Sequence, residues 1–212
     1  MGMTGWNMHT RITKANEMFS RMSKRINDIV VGEEFSKTID ILLSCKGKII
    51  TSGVGKAAIV MKKFSSLLCS FGFPSAFLNP LDAQHGDLGI LSENDVLFLS
   101  SNSGKTREVL ELIDLARAIN IKTIIGLSSH LDSPLKSKVD VCIDMGEIEE
   151  EGHLKMAPTT SILVMLAITD ALALIAAEER NLSLELYSKL HHSGYLGTLA
   201  REIKNKEKKC EK

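Results

Sequence analysis

Five short apolar runs punctuate this chain, at 48–51, 74–78, 95–99, 122–126 and 139–143, and helix-patterned segments separate most of them. Successive strands with a helix between them can share a sheet only by crossing over its face. The alternation therefore predicts parallel strands with helices on both sides. The expected fold class is α/β: a three-layer α-β-α sandwich around a five-stranded parallel sheet, Rossmann-like in plan. In such sheets ligands collect at the carboxyl ends of the strands, so the loops leaving those ends are where function is to be sought.

Those loops are unusual. The run 96–99 ends in Ser100-Ser-Asn-Ser-Gly-Lys-Thr106, and a helix pattern follows with Val109, Leu112, Ile113 and Ala116 spaced at three and four. Hydroxyls and free N–H groups at a helix N-terminus suit an anion, most often a phosphate. A plain N-cap is the alternative for any one of these serines. The first strand runs into Ser52-Gly-Val-Gly-Lys56 and a helix at 57–69. Gly53 and Gly55 let backbone approach a ligand. Lys56 sits where a helix dipole would not place a cation, so it points to an anionic ligand, with a solvated lysine as the alternative. The connection 79–89 carries Gln84-His-Gly-Asp87. His85 beside an acid can exchange protons, or the loop can be held by its own hydrogen bonds. Pro158-Thr-Thr-Ser161 sets a further hydroxyl cluster, with Thr159, before the long apolar segment 162–177. His191-His192 precedes Gly194 and Gly197 without the spacing of a helical metal pair, and a surface histidine pair is the alternative.

Composition excludes more than it selects. The chain has 212 residues, 44% apolar, 25% charged, with no net charge. No nucleic-acid or membrane partner is expected from that balance. Residues 1–45 read as N-terminal helices, with Ile12, Ala15, Met18, Phe19, Met22, Ile26 and Ile29 on one stripe and a second pattern from Phe35 to Leu43. Residues 46–200 form the main domain, and 201–212 a charged, fraying tail. The segment 162–177 is interrupted by Thr169 and Asp170 and reads as a buried helix too short to span a bilayer. Cys45, Cys69, Cys142 and Cys210 form no CxxC pair, three of them are expected as buried thiols, and a reducing cytoplasm fits. No signal peptide is read at the start. Met1-Gly2 resembles a myristoylation start, but Trp6 stands where Ser or Thr is needed.

Taken together, Ser52-Gly-Val-Gly-Lys56, Gln84-His-Gly-Asp-Leu-Gly89, Ser101-Asn-Ser-Gly104, Ala157-Pro-Thr-Thr-Ser161 and His191-His-Ser-Gly-Tyr-Leu-Gly197 resemble the sugar isomerase (SIS) domain family. More narrowly, they resemble its arabinose-5-phosphate isomerase branch, over roughly residues 30–200. The resemblance implies interconversion of D-ribulose 5-phosphate and D-arabinose 5-phosphate through an enediol, feeding 3-deoxy-D-manno-octulosonate (KDO) and lipopolysaccharide synthesis. It implies no cofactor, and a homotetramer with sites at subunit contacts. It places the catalytic residues at Lys56, Glu108, Glu150 and His191, with His191 acting across an interface. It places substrate or phosphate contacts at Ser52, Gly53, Gly55, His85, Ser101, Asn102, Ser103, Thr106 and Thr159. Glu147, Glu149 and Glu151 compete with Glu150 for its role. Many relatives have a zinc-binding histidine where this chain has Asn79, so no metal site is expected. Many also carry paired cystathionine-β-synthase modules, for which 212 residues leave no room. A non-catalytic phosphosugar-binding module and an isomerase of another sugar phosphate are the alternatives.

Overall fold

The structure, a computed structural model, describes residues 7–210. Met1, Gly2 and Trp6 lie outside the described residues, as do the last two residues of the tail and the side chain of Cys210. The chain opens with α1 (Met8–Asn27) and α2 (Glu33–Ser44), then alternates β1 (Ile49–Gly53), α3 (Gly55–Ser70) and β2 (Ser75–Phe77). A short α4 (Pro80–Ala83) and a 3-10 turn (Asp87–Ile90) lead to β3 (Val96–Ser100), α5 (Arg107–Ala118), β4 (Thr123–Ser128), α6 (Pro134–Lys138) and β5 (Val141–Asp144). Three helices finish the chain: α7 (Thr160–Glu179), α8 (Leu184–Leu190) and α9 (Gly194–Cys210).

All five strands are parallel, in the order β2-β1-β3-β4-β5. Every residue of β1 and β3 is buried, as expected where helices cover both faces. Alternation along the strands divides the core. Ile49, Val96, Phe98, Ile125 and Leu127 face α2, α3 and α7. Ile50, Leu97, Leu99 and Ile124 face α5, through Val109, Leu112, Ile113 and Ala116. Phe64 of α3 meets Phe98 of β3 edge-on, with ring centroids 5.2 Å apart.

The three-layer sandwich is thus the one expected, but several local readings change. The helix α7 is 20 residues long and, among the described residues, is the one helix with the length and composition to cross a membrane. More than half of its apolar stretch is buried in the protein. It packs on α3, α2 and α1. Among the described cysteines only Cys142 is a buried thiol, and burial pushes its pKa up to about 11. Cys45 is half-buried and Cys69 exposed. The charged tail continues α9 as far as Cys210 rather than fraying from residue 201. No residue of α1 is buried. The helix is tied down by the Arg21 guanidinium, which grips the Glu151 carboxylate through two 2.8 Å hydrogen bonds, and by Arg25 donating to Met145 O.

One buried carboxylate sets the register of β1 against β3. Asp95 accepts from Lys48 N–H (2.6 Å), Ser92 N–H (2.9 Å) and the Lys48 ammonium (2.9 Å). Burial acts to raise its pKa, but these hydrogen bonds outweigh it and hold the carboxyl below the ordinary aspartate value. A depressed folded-state pKa adds stability above the unfolded pKa and loses it as pH falls through the folded one. Asp95→Asn is therefore expected to cost about 2 kcal/mol at pH 7, since it leaves buried donors facing an amide. Urea denaturation of both proteins should show the gap closing below the ordinary aspartate pKa. A gap that widened in acid would refute this role.

Candidate active site

The strand order reverses at β1. The chain leaves it toward β2 on one side and later takes up β3 on the other. A crevice opens at the carboxyl ends where neighbouring strands send their crossovers apart. There Gly53 pairs with Ser100, so the turn 53–55 and the loop 100–106 lie side by side. A Cβ on Gly53 would stand 3.3 Å from Ser100 O and 3.4 Å from the α3 backbone, so a side chain here would press strand and helix slightly apart. Gly55 has φ +62°, a left-handed conformation that glycine adopts without strain. Over this turn lies a cavity of about 240 Å³, lined among others by Gly53, Gly55, Lys62, Phe77, Asn79 and Glu108.

Beside it lies the hydroxyl loop. Thr106 takes the N-cap position of α5 but makes no capping hydrogen bond. Its Oγ1 lies 2.8 Å from Ser101 Oγ instead. The exposed Ser103 accepts Lys105 N–H at 3.2 Å. The serines therefore do not serve as a cap, and the first-turn N–H groups of α5 keep the capacity to bind an anion. Glu108, in that same first turn, is half-buried and faces the cavity. Unbonded helix N–H groups and a carboxylate thus adjoin at one helix end.

The acidic loop gives each of its carboxylates different surroundings. Glu151 pairs with Arg21, whose hydrogen bond keeps the Glu151 carboxyl below the ordinary glutamate value. Glu149 pairs with Lys155, and Glu147 lines a separate cavity. Glu150 alone turns to the start of α7. Its Oε2 accepts Thr159 N–H (2.7 Å), Thr159 Oγ–H (3.2 Å) and Ser161 N–H (3.2 Å). A carboxylate there satisfies orphan donors and suits the helix dipole. It also engages Thr159, whose hydroxyl further accepts Glu151 N–H at 3.0 Å. Thr159 is therefore partnered within the protein rather than presented to a ligand.

Comparison with known proteins identifies the family. Residues 42–175 match the model of the SIS domain. The chain belongs to the SIS domain family. Arabinose 5-phosphate isomerase KdsD of Pseudomonas aeruginosa is 37% identical over 167 residues, which are 79% of this chain and 51% of that protein. The chain spans about half the length of the curated relatives it matches. A Bacteroides fragilis protein described as a phosphosugar isomerase involved in capsule formation superposes with a TM-score of 0.85 at 42% identity, over 87% of this chain and 99% of that one. An Escherichia coli CFT073 protein in complex with arabinose 5-phosphate superposes at 0.84 with 29% identity, over 89% of this chain and 100% of that one.

Within this SIS domain the expected site residues separate into groups. Gly53, Gly55 and Glu108 line the cavity over the β1 turn, while Ser101, Asn102, Ser103 and Thr106 lie on the neighbouring loop after β3 and do not line it. Lys56 is exposed on the first turn of α3 but does not line the cavity. Ser52 is fully buried, and its hydroxyl donates to Leu78 O at 2.6 Å. It locks β1 to the end of β2, so the expected ligand contact gives way to a structural one. His85 is exposed just beyond α4, and among the described residues no partner holds its ring. His191 lies elsewhere. Its ring stacks on Tyr187 at 4.0 Å and hydrogen-bonds Tyr187 O at 3.0 Å. α8 rests beside Gly72, before β2, where Arg180 also donates to Gly72 O. That is the amino end of the strands, and α7, about 30 Å long by helix geometry, runs between it and the crevice.

The cavity is also lined by Lys62, absent from the sequence reading, and by Asn79, which that reading did not place among the ligand contacts. Gly55, Ala58 and Lys62 fall at i, i+3 and i+7 on one helix face, the one signal that could have found Lys62. Asn79 caps α4 by accepting Leu81 N–H at 3.1 Å.

Proposed function

We propose that this SIS domain interconverts D-ribulose 5-phosphate and D-arabinose 5-phosphate in the cytoplasm, supplying KDO synthesis. The observation that carries the reading is the uncapped N-terminus of α5 beside the hydroxyl loop, with Glu108 in its first turn facing the cavity. The relatives named as arabinose 5-phosphate isomerases and the E. coli protein in complex with arabinose 5-phosphate support the choice of sugar. Ser101, Asn102, Ser103, Thr106 and the α5 N–H groups take the phosphate. A carboxylate then removes the C1 proton of the ketose and returns it to C2. Glu108 faces the cavity, while Glu150 keeps Oε1 free of hydrogen bonds among the described residues and is the other candidate. Lys56 stabilises negative charge developing on the enediolate. His191 serves ring opening or oxygen protonation from a partner subunit.

The assembly is proposed as a homotetramer. His191 sits at the far end of the sheet from the crevice. Apolar residues are left exposed on α1, where Met8, Ile12 and Phe19 stand free of the core, and on α9, where Tyr195 is 78% exposed. Such stripes mark surfaces that associate.

The direct test incubates the purified protein with ribulose 5-phosphate and follows arabinose 5-phosphate, with and without EDTA. Product is expected in both. Binding without turnover would turn the reading to a phosphosugar sensor. Ser103→Ala is expected to raise KM about tenfold, the lower worth of one hydrogen bond to a charged group, with kcat little changed. A fall in kcat alone would give the loop a different role.

A further inference from the structure

The hydroxyl loop is held from behind by residues that none of the motifs contains. Asn102 O accepts three donors, all from the end of β4: Ser129 N–H at 3.1 Å, Ser128 Oγ–H at 3.2 Å and His130 Nδ1 at 3.0 Å. The Asn102 side-chain Oδ1 accepts Ser129 Oγ–H at 2.7 Å. A carbonyl oxygen has two lone pairs, so three donors saturate it. Because that oxygen only accepts, His130 Nδ1 must carry the hydrogen.

The consequence follows from the planarity of the peptide. In a trans peptide the C=O of Asn102 and the N–H of Ser103 point in opposite directions. Fixing the carbonyl toward β4 aims the Ser103 N–H away from it, on the loop's outer side. Among the described residues that N–H has no acceptor, and Ser103 is exposed whereas Ser129 is 8% exposed. With Oδ1 already bound, the Asn102 amide also has its NH₂ left to offer. A loop of serine and glycine would otherwise lose considerable backbone entropy on closing around an anion. His130 does not fit as an anion ligand itself. It lines a cavity of about 750 Å³ shared with Asp132, Asp144, Glu147 and Glu149, whose carboxylates repel a phosphate.

We propose that Ser129 and His130 are positioning residues that preorganise the Asn102–Ser103 peptide for the phosphate of the substrate. This rests on the phosphate site assigned above to the hydroxyl loop. The test measures binding of inorganic phosphate and of arabinose 5-phosphate by calorimetry, turnover of ribulose 5-phosphate, and Tm. It compares the unaltered protein with Ser129→Ala, His130→Ala and His130→Asn. Each alanine variant should bind both ligands about five- to tenfold more weakly, the worth of the one neutral hydrogen bond that it removes. KM should rise in step, with kcat within about twofold and Tm unchanged. His130→Asn, whose amide can donate to Asn102 O, should recover most of the loss. Unchanged binding in both alanine variants overturns the proposal. So does a loss that tracks a falling Tm, or a failure of His130→Asn to recover it. Expected binding changes without turnover in any protein would sink the isomerase reading and leave the positioning role standing. An unaltered protein that binds neither ligand would overturn both.

Discussion

Co-expression of two inactive variants, Glu108→Gln and His191→Ala, is expected to restore activity. Each alone should lose at least about a hundredfold in kcat, the lower range for removing a general acid or base. In mixed oligomers a site that takes Glu108 from one chain and His191 from another is intact in about one case in four. The mixture should then reach about a quarter of normal specific activity. The expectation follows from α7. Its start is capped by Glu150 at the carboxyl end of the sheet, and its far end meets Gly72, beside which α8 presents His191. One chain cannot bring His191 to Glu108 without dismantling the contacts of Tyr187 with the core. A mixture as inactive as either variant would mean that both residues act within one chain. A His191→Ala protein that keeps its activity when measured alone would mean that His191 has no catalytic part.

The sheet was legible because its strands are buried on both faces, so each shows as an uninterrupted apolar run. The sequence reading of 95–99 against β3 at Val96–Ser100 differs by a single residue at each end. The misses share a cause. α4 and the 3-10 turn fall in a stretch containing Pro80, Gly86 and Gly89, which reads as loop. α8 and α9 were hidden by Gly194 and Gly197, read as a Gly-rich turn. Gly197 in fact lies inside α9, where a Cβ would run into His191 O, so the glycine marks a close helix contact rather than a turn.

The candidate site was legible only as separate local patterns. Gly53 and Gly55 sit on one strand-to-helix turn and Ser101, Ser103, Thr106 and Glu108 on another, and the pairing of β1 with β3 sets the two side by side. Hydroxyl type did not reveal which groups face a ligand. Ser52 and Thr159 resemble Ser103 in sequence, yet their oxygens are taken by Leu78 O and by Glu150. Lys62 reaches the cavity from the second turn of α3, and Ser129 and His130 reach the loop from β4. These are contacts between elements, which no local pattern encodes.

Gly104→Ala is expected to cost about 3 kcal/mol of stability and to abolish phosphate binding, because two penalties fall on one atom. Gly104 has φ +61°, where a side chain costs about 1 kcal/mol. Its Cβ would overlap Ser133 Oγ, stand 2.5 Å from Ser133 Cβ and lie 3.1 Å from Ser128 Oγ, an overpacking worth a further 1–3 kcal/mol or so. Ser133 is buried, and Leu135 N–H donates to Gly104 O at 3.1 Å, so neither side can retreat cheaply. The strain would move the loop outward and take Ser103 from its place. Ser133→Gly tests the division of this cost. Among the described residues Ser133 Oγ makes no hydrogen bond, and it caps nothing in α6, so its own removal should be nearly neutral. In the double variant the overlap disappears and only the backbone penalty is left. Chemical denaturation should then recover about 2 kcal/mol relative to Gly104→Ala, and phosphate binding should return in part. No recovery in the double variant would place the whole cost in the left-handed backbone. A single variant as stable as the unaltered protein would show that the loop yields freely, against the close packing of Gly104 on Ser133.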